Sequence, residues 1–323
     1  LRNLDAESFA RAWRRGELAD EAFAVHAGDA SQALHLYCWS RPEATPEGVP
    51  LVVAFHGAID RTKREVPAFE GGPLRAALAG RAILIGIADP SLLRDPALRI
   101  GWYAGHEGFD VPATIGAVVR RLGDAWQVPR VVFAGGSTGG HPALLQSARL
   151  TGSVAVVQNP ITRISGYYRG TVEQYRDLCW PTLAPKAALS EATIDDVGVL
   201  YGEDLGNTVI LLQNARDHHL FGQSATFLQA VRSKRNREAL LFLSAYYAEH
   251  VGHSFPPGVW SRWVGAAVDA AATDRDAIVT AFRDTQPAKA SQAASAPATP
   301  AAPPARDLAW NARLLEQTRH EVT

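Results

Sequence analysis

The feature that most restricts how this chain can fold is a strand that runs straight into glycines. The run VVFAG ends in Gly135-Gly136-Ser137-Thr138-Gly139, and the apolar spacing of GGHPALLQSARL (139–150) begins at once. A β-branched run of this kind reads as a buried strand, and the segment after it as a helix. Only a sharp turn joins the two over so few residues, and glycines let such a turn pass close to neighbouring backbone.

The same rhythm recurs along the chain. HLYCW (35–39), LVVAFHG (51–57), AILIGIADP (82–90), SVAVVQNP (153–160), VILLQNARD (209–217) and ALLFLSAYY (239–247) read as strands. VPATIGAVVRRLGDAW (111–126) and FGQSATFLQAVRSKR (221–235) carry apolar residues at helical spacing. Strands alternating with helices imply an α/β fold, with a mostly parallel central sheet and helices on both faces.

Four segments stand outside this pattern. Residues 1–34 read as an N-terminal helical segment of one or two polar helices. Residues 161–207, rich in Tyr, Trp and Pro, read as a lid-like insertion over the C-terminal edge of the sheet or as a crossover with extra helices. QPAKASQAASAPATPAAPPA (286–305) has the composition of a disordered linker. Residues 306–323, with Leu308, Trp310, Leu314 and Leu315, read as a frayed tail or a short helix that docks on a protein partner. The α/β domain then spans 35–285.

Composition narrows the function classes. The 323 residues are 47% hydrophobic and 20% charged, ample for one large core. A net charge of -1 without a basic run gives no reason to expect a nucleic acid or an anionic membrane. Cys38 and Cys179 are too few for a disulfide scaffold and fit a cytoplasmic location. No spacing suggests a metal or a cofactor. The first residues hold no apolar run long enough for a signal peptide or a membrane span. The chain opens on Leu1, so a leader ahead of it stays open.

Gly135–Gly139 matches G-x-S-x-G, the turn that lifts a serine hydroxyl to the top of a sheet and sets it at a helix N-terminus. A serine needs a base to take its proton, and the base needs an acid to orient it. Asp217 follows one later strand and precedes a helix. His253, in AEHVGHSFPP, follows the last visible strand. Gly252 and Pro256 make a turn that can present its ring. His250 competes three residues earlier, while His218 and His219 sit beside the acid and read as rim or surface residues.

Two backbone N–H groups should meet an oxyanion, one from Thr138 and one from Ala58, in the His56-Gly57 turn after LVVAF. Arg61 is a candidate to hold an anionic or hydroxyl-rich group, unless it only pairs with Asp60. The loop GWYAGHEGF (101–109) offers Trp102, Tyr103, His106 and Phe109 as pocket aromatics or as packing. His56, Arg61, Trp102, Tyr103 and His106 are therefore the substrate-binding candidates.

Together, Gly135–Gly139, His56-Gly57, Asp217 and His253 resemble the α/β-hydrolase superfamily over about residues 35–283. The resemblance implies an eight-stranded, mostly parallel sheet and a Ser137–Asp217–His253 triad. The chain departs from it in showing only a short strand before LVVAFHG. FHGAIDR, ADPSL, GWYAG, GGSTGG and QNPITRISGYY look like capsular-polysaccharide-biosynthesis proteins and the hydrolase-like component of accessory secretion systems. That narrower resemblance implies an acylated glycan as substrate, with Asn159-Pro160 and the aromatic insertion helping to form its site.

The expected function is a serine esterase or O-acyltransferase acting on a small-molecule or glycan ester. A non-catalytic assembly component, a serine peptidase and a thioesterase remain alternatives.

Overall fold

A computed structural model describes residues 1–184 and 187–285. Nine strands form one sheet: β1 (Asn3–Asp5), β2 (Ala22–His26), β3 (Leu34–Cys38), β4 (Leu51–Phe55), β5 (Ile83–Ile87), β6 (Val131–Gly136), β7 (Val154–Gln158), β8 (Thr208–Asn214) and β9 (Leu240–Ala245). Their order is β1-β2-β3-β5-β4-β6-β7-β8-β9. Strands β5, β4 and β6 to β9 pair in parallel, and β3 runs antiparallel to both β2 and β5.

The central strands are apolar at every position because both faces are covered. Their alternation is still visible in what each residue meets. Val53, Phe133, Val157 and Leu211 join one apolar cluster, while Val52, Val132, Val156 and Ile210 join the other. The first cluster is closed by α1 (Ala6–Arg14), α3 (Val111–Trp126) and α4 (Gly140–Ala148). The second is closed by α2 (Gly72–Leu78), α8 (Val259–Asp269) and α9 (Arg275–Asp284), where Trp263 stacks on Phe282 at 3.8 Å. Burying each aliphatic side chain contributes about 1.5–3 kcal/mol relative to leaving it in water. Helix α3 shows how local signals fit this scheme. The Asp110 carboxylate accepts the Ala113 N–H at 2.9 Å, Pro112 sits in the first turn, and left-handed Gln127 ends the helix.

Residues 1–34 differ from the expectation of polar helices. They hold one helix and two strands, and β1 and β2 extend the sheet to nine strands instead of eight. AFAVH has no helical periodicity. Phe23 and Val25 are buried beside Phe9 and Leu36, and Phe9 meets Phe23 edge-on at 5.5 Å. The antiparallel pair missing from the sequence pattern is therefore β2 with β3.

The segment expected as one helix over 221–235 is broken. A wide turn at Leu220–Ala225 precedes α6 (Thr226–Ala230), and α7 (Lys234–Glu238) starts afresh behind Ser233, whose hydroxyl accepts the Asn236 N–H. In the wide turn the Gln223 carbonyl accepts the Thr162 hydroxyl, and the Gln223 side chain accepts the Thr162 and Arg163 N–H groups.

The 161–207 segment carries α5 (Arg169–Cys179) and packs Ile161, Ile164, Tyr175, Cys179 and Leu189 against Ile59, Leu92, Leu98 and Trp102. It thus covers loops that follow β4 and β5. Among the described residues no helix is long and apolar enough to cross a membrane. The expected linker and terminal segment at 286–323 lie outside the described residues.

Candidate active site

Ser137 is the residue after β6 and has φ 54°, in the left-handed region that costs an L-residue about 1–2 kcal/mol. The turn is imposed by its surroundings. A Cβ on Gly135 would lie 2.1 Å from the Gly139 carbonyl oxygen, and one on Gly139 would lie 2.4 Å from that of Phe55. Strand β6, the turn and the end of β4 are in backbone contact, so neither position accepts a larger residue. Helix α4 begins three residues after the serine, so its N-terminal dipole points toward the hydroxyl end of the turn.

Asp217 follows β8 and is 3% exposed. Its Oδ2 accepts His253 Nδ1–H at 2.8 Å and its Oδ1 accepts the His219 backbone N–H at 3.0 Å. Burial pushes its pKa up, but the hydrogen bond and charge of His253 and the bond from the His219 amide outweigh it. The carboxylate is therefore held below its ordinary range. His219 stands edge-on to His253 at 5.3 Å and is pushed down to about 4, by burial first and then by the charge of His218. His250 contributes its backbone carbonyl to the loop, while its ring lies against Tyr247.

The loop bearing His253 is held by side chains that the pattern of the sequence does not single out. Asn214 donates to the carbonyls of His250 and Ser254 at 2.8 Å each and to that of Gly252 at 3.3 Å. Asn159, with φ 40°, donates to the His253 carbonyl at 3.1 Å and accepts the Asn214 N–H at 2.8 Å. Gln213 bridges Asn159 and Asp217 and accepts the Ser224 hydroxyl at 2.6 Å. These are buried amides at strand ends. Their one signal in the sequence is that three polar residues close otherwise apolar strands.

Ser137 and His253 open on one cavity of about 570 Å³. Its wall includes Gly57, Ala58, Glu70, Asn159, Phe255 and Trp260. Gly57 lies against the serine, since a Cβ there would come within 3.5 Å of Ser137 Cβ. Ala58 and Thr138 thus flank Ser137 on two different loops, the arrangement an oxyanion site needs.

The substrate-binding candidates fare differently. His56 is buried. Its Nδ1 bonds the Gly57 carbonyl, its Nε2 accepts the Asp89 N–H, and burial pushes it down to about 4. It is a neutral strut within the loop. Arg61 donates to the carbonyls of Leu92 and Leu98 and lies outside the cavity. Trp102 and Tyr103 are 1% and 2% exposed. Trp102 packs on Tyr167 and Tyr175, and Tyr103 donates its hydroxyl to the Ile87 carbonyl. Both have left-handed backbone conformations, and the Asp89 carboxylate accepts the Tyr103 N–H at 2.9 Å. His106 lines a different cavity, with Arg149 and Trp180. Among the described residues of 161–207 none lines the cavity at Ser137, although Tyr167 and Tyr168 reach His219 and His218.

No family model matches the chain, and no curated protein matches it in sequence. Solved structures do. An S-formylglutathione hydrolase from Agrobacterium tumefaciens superposes with TM-score 0.51 at 15% identity, over 82% of this chain and 96% of that one. The capsule O-acetyltransferase of Neisseria meningitidis serogroup A gives 0.50 at 12%, over 78% and 88%. A puromycin-hydrolyzing peptidase of Mycobacterium tuberculosis gives 0.54 at 17%, over 76% and 38%. The likeness is one of architecture: this chain has the α/β-hydrolase fold.

Proposed function

We propose that this protein is a serine hydrolase or acyltransferase acting on carboxylic esters, with Ser137, His253 and Asp217 as its triad. The observation that carries this reading is the pairing of a left-handed serine with an Asp-bound histidine on one cavity. Ser137 Oγ attacks the acyl carbonyl as His253 Nε2 takes its proton. Asp217 holds the Nδ1–H and stabilises the imidazolium. The N–H groups of Ala58 and Thr138 bind the oxyanion. Collapse expels the alcohol, which leaves with the proton from His253, and Ser137 keeps the acyl group. A second hydroxyl, from water or from a sugar, gives its proton to His253 and takes the acyl group, restoring the serine. The fold shared with a capsule O-acetyltransferase supports including sugar hydroxyls among the acceptors tried.

The test is intact-mass analysis after fluorophosphonate treatment. One stoichiometric adduct on the native chain, absent from Ser137→Ala, is the expected result. No adduct on folded protein would overturn the reading and favour a binding role on the same scaffold.

A further inference from the structure

Apart from His253, Glu70 is the only residue with an ionisable side chain among the described residues that line the cavity at Ser137; no lysine or arginine joins it. Glu70 ends the loop before α2, and its Oε1 accepts the Gly71 N–H at 3.1 Å. The backbone carbonyl of the same residue accepts Trp39 Nε1–H at 2.9 Å, so the loop is pinned on both sides. The cation that acts on the carboxylate is Arg64, an exposed side chain whose guanidinium is tied to the Phe69 carbonyl at 3.0 Å. The rest of the wall includes Phe255 and Trp260, the latter anchored by its Nε1–H on the Val156 carbonyl at 3.1 Å. Partial burial raises the pKa of this carboxyl, and a ligand that brings the opposite charge would offset that cost.

The geometry points to Glu70 as a specificity residue that seats a positively charged substituent of the substrate, so that the cavity takes ammonium-bearing esters in preference to neutral or anionic ones. This assignment rests on Ser137 being the nucleophile. Phosphate-bearing and carboxylate-bearing esters meet repulsion from Glu70 and no cation in the wall.

The experiment uses two pairs of esters matched in shape and differing in charge. One pair carries the charge on the alcohol side, 2-(trimethylammonio)ethyl acetate against 3,3-dimethylbutyl acetate. The other carries it on the acyl side, 4-nitrophenyl 4-(trimethylammonio)butanoate against 4-nitrophenyl 5,5-dimethylhexanoate. In at least one pair kcat/KM should favour the cation by about tenfold or more, as expected for one charge-assisted contact. Glu70→Gln, which keeps an acceptor for the Gly71 N–H, should bring that ratio close to one. Ratios near one in both pairs, or a preference that survives Glu70→Gln, would overturn the assignment. Calorimetric binding of the same esters to Ser137→Ala, with and without Glu70→Gln, reads the charge preference without turnover. A charge preference in binding without fluorophosphonate labelling of the native chain would mean that the triad reading has failed, and with it substrate specificity as the role of Glu70, leaving a cation-binding site alone. Labelling with equal binding of charged and neutral esters would mean the reverse.

Discussion

The side-chain amide of Asn159, at the end of β7, donates to the backbone carbonyl of His253 at 3.1 Å. His253 is thus positioned from a strand two places away from the edge of the sheet, and not by its own loop alone. Asn159→Ala also leaves the Asn214 N–H without its acceptor, and a buried unpaired group costs about 1–3 kcal/mol. We expect the variant to fold with reduced stability and to lose kcat by about 10- to 100-fold at nearly unchanged KM on a neutral aryl ester. Steady-state kinetics and urea titration of the same preparation check both halves.

Asp217→Asn tests the acid. Its loss removes the group that holds the His253 tautomer, and kcat should fall by about 10³- to 10⁴-fold. The same carboxylate has a folded pKa below its ordinary value, so its contribution to stability is present above about pH 4. That contribution is lost as pH falls through the folded value. Acid unfolding followed by circular dichroism should therefore show a shallower loss below pH 4 in the variant than in the native chain.

His56 and His141 are buried, and burial pushes both down to about 4. The unfolded chain protonates them below about pH 6.5, while the folded chain does not until about pH 4. Between those values the unfolded state binds more protons, so stability falls as pH is lowered, by up to about 3 kcal/mol per ring. Asp89, pushed up to about 6 by burial, acts in the opposite sense over part of that range. The expectation therefore concerns a difference. Between pH 6.5 and 4 the urea midpoint of His141→Asn should fall less steeply than that of the native chain.

Ser137 has φ 54° and carries the strain of a left-handed L-residue. Ser137→Gly relieves that strain and Ser137→Ala does not. Both should be inactive, and the glycine variant should be the more stable of the two by about 1 kcal/mol in chemical denaturation. Gly139→Ala should do the opposite. Its Cβ would meet the Phe55 carbonyl oxygen at 2.4 Å, and a loss of about 1–3 kcal/mol is expected.

Local chemistry carried the reading from sequence a long way. VVFAG followed by Ser137 and GGHPALL demands a strand, a strained turn and a helix, and all three lie within one stretch of about twenty residues. Asp217 and His253 could be singled out as candidates for the same reason: each follows a run of strand residues, in the chain order that the proposed acid and base require, and the structure brings the two side chains together. The alternation of Val52 and Val53, or of Val156 and Val157, is a property of any strand and needed no tertiary information to assign.

What only the tertiary structure decided is which way loop side chains face. Trp102 and Tyr103 carry the same local signal as a pocket aromatic, yet Trp102 is buried against Tyr167 and Tyr175 and Tyr103 donates its hydroxyl to the Ile87 carbonyl. Arg61 is taken up by the carbonyls of Leu92 and Leu98, which lie more than thirty residues on. AFAVH became a strand because β3 and Phe9 cover it, although nothing within the first thirty-four residues supplies that cover in full. Glu70 comes to line the cavity, and Asn159 and Asn214 hold the loop of His253, through partners up to ninety-four residues away. Turn and strand propensities are set by neighbours in the chain. The direction of a loop side chain is set by whatever packs against it, and those atoms come from elsewhere in the sequence.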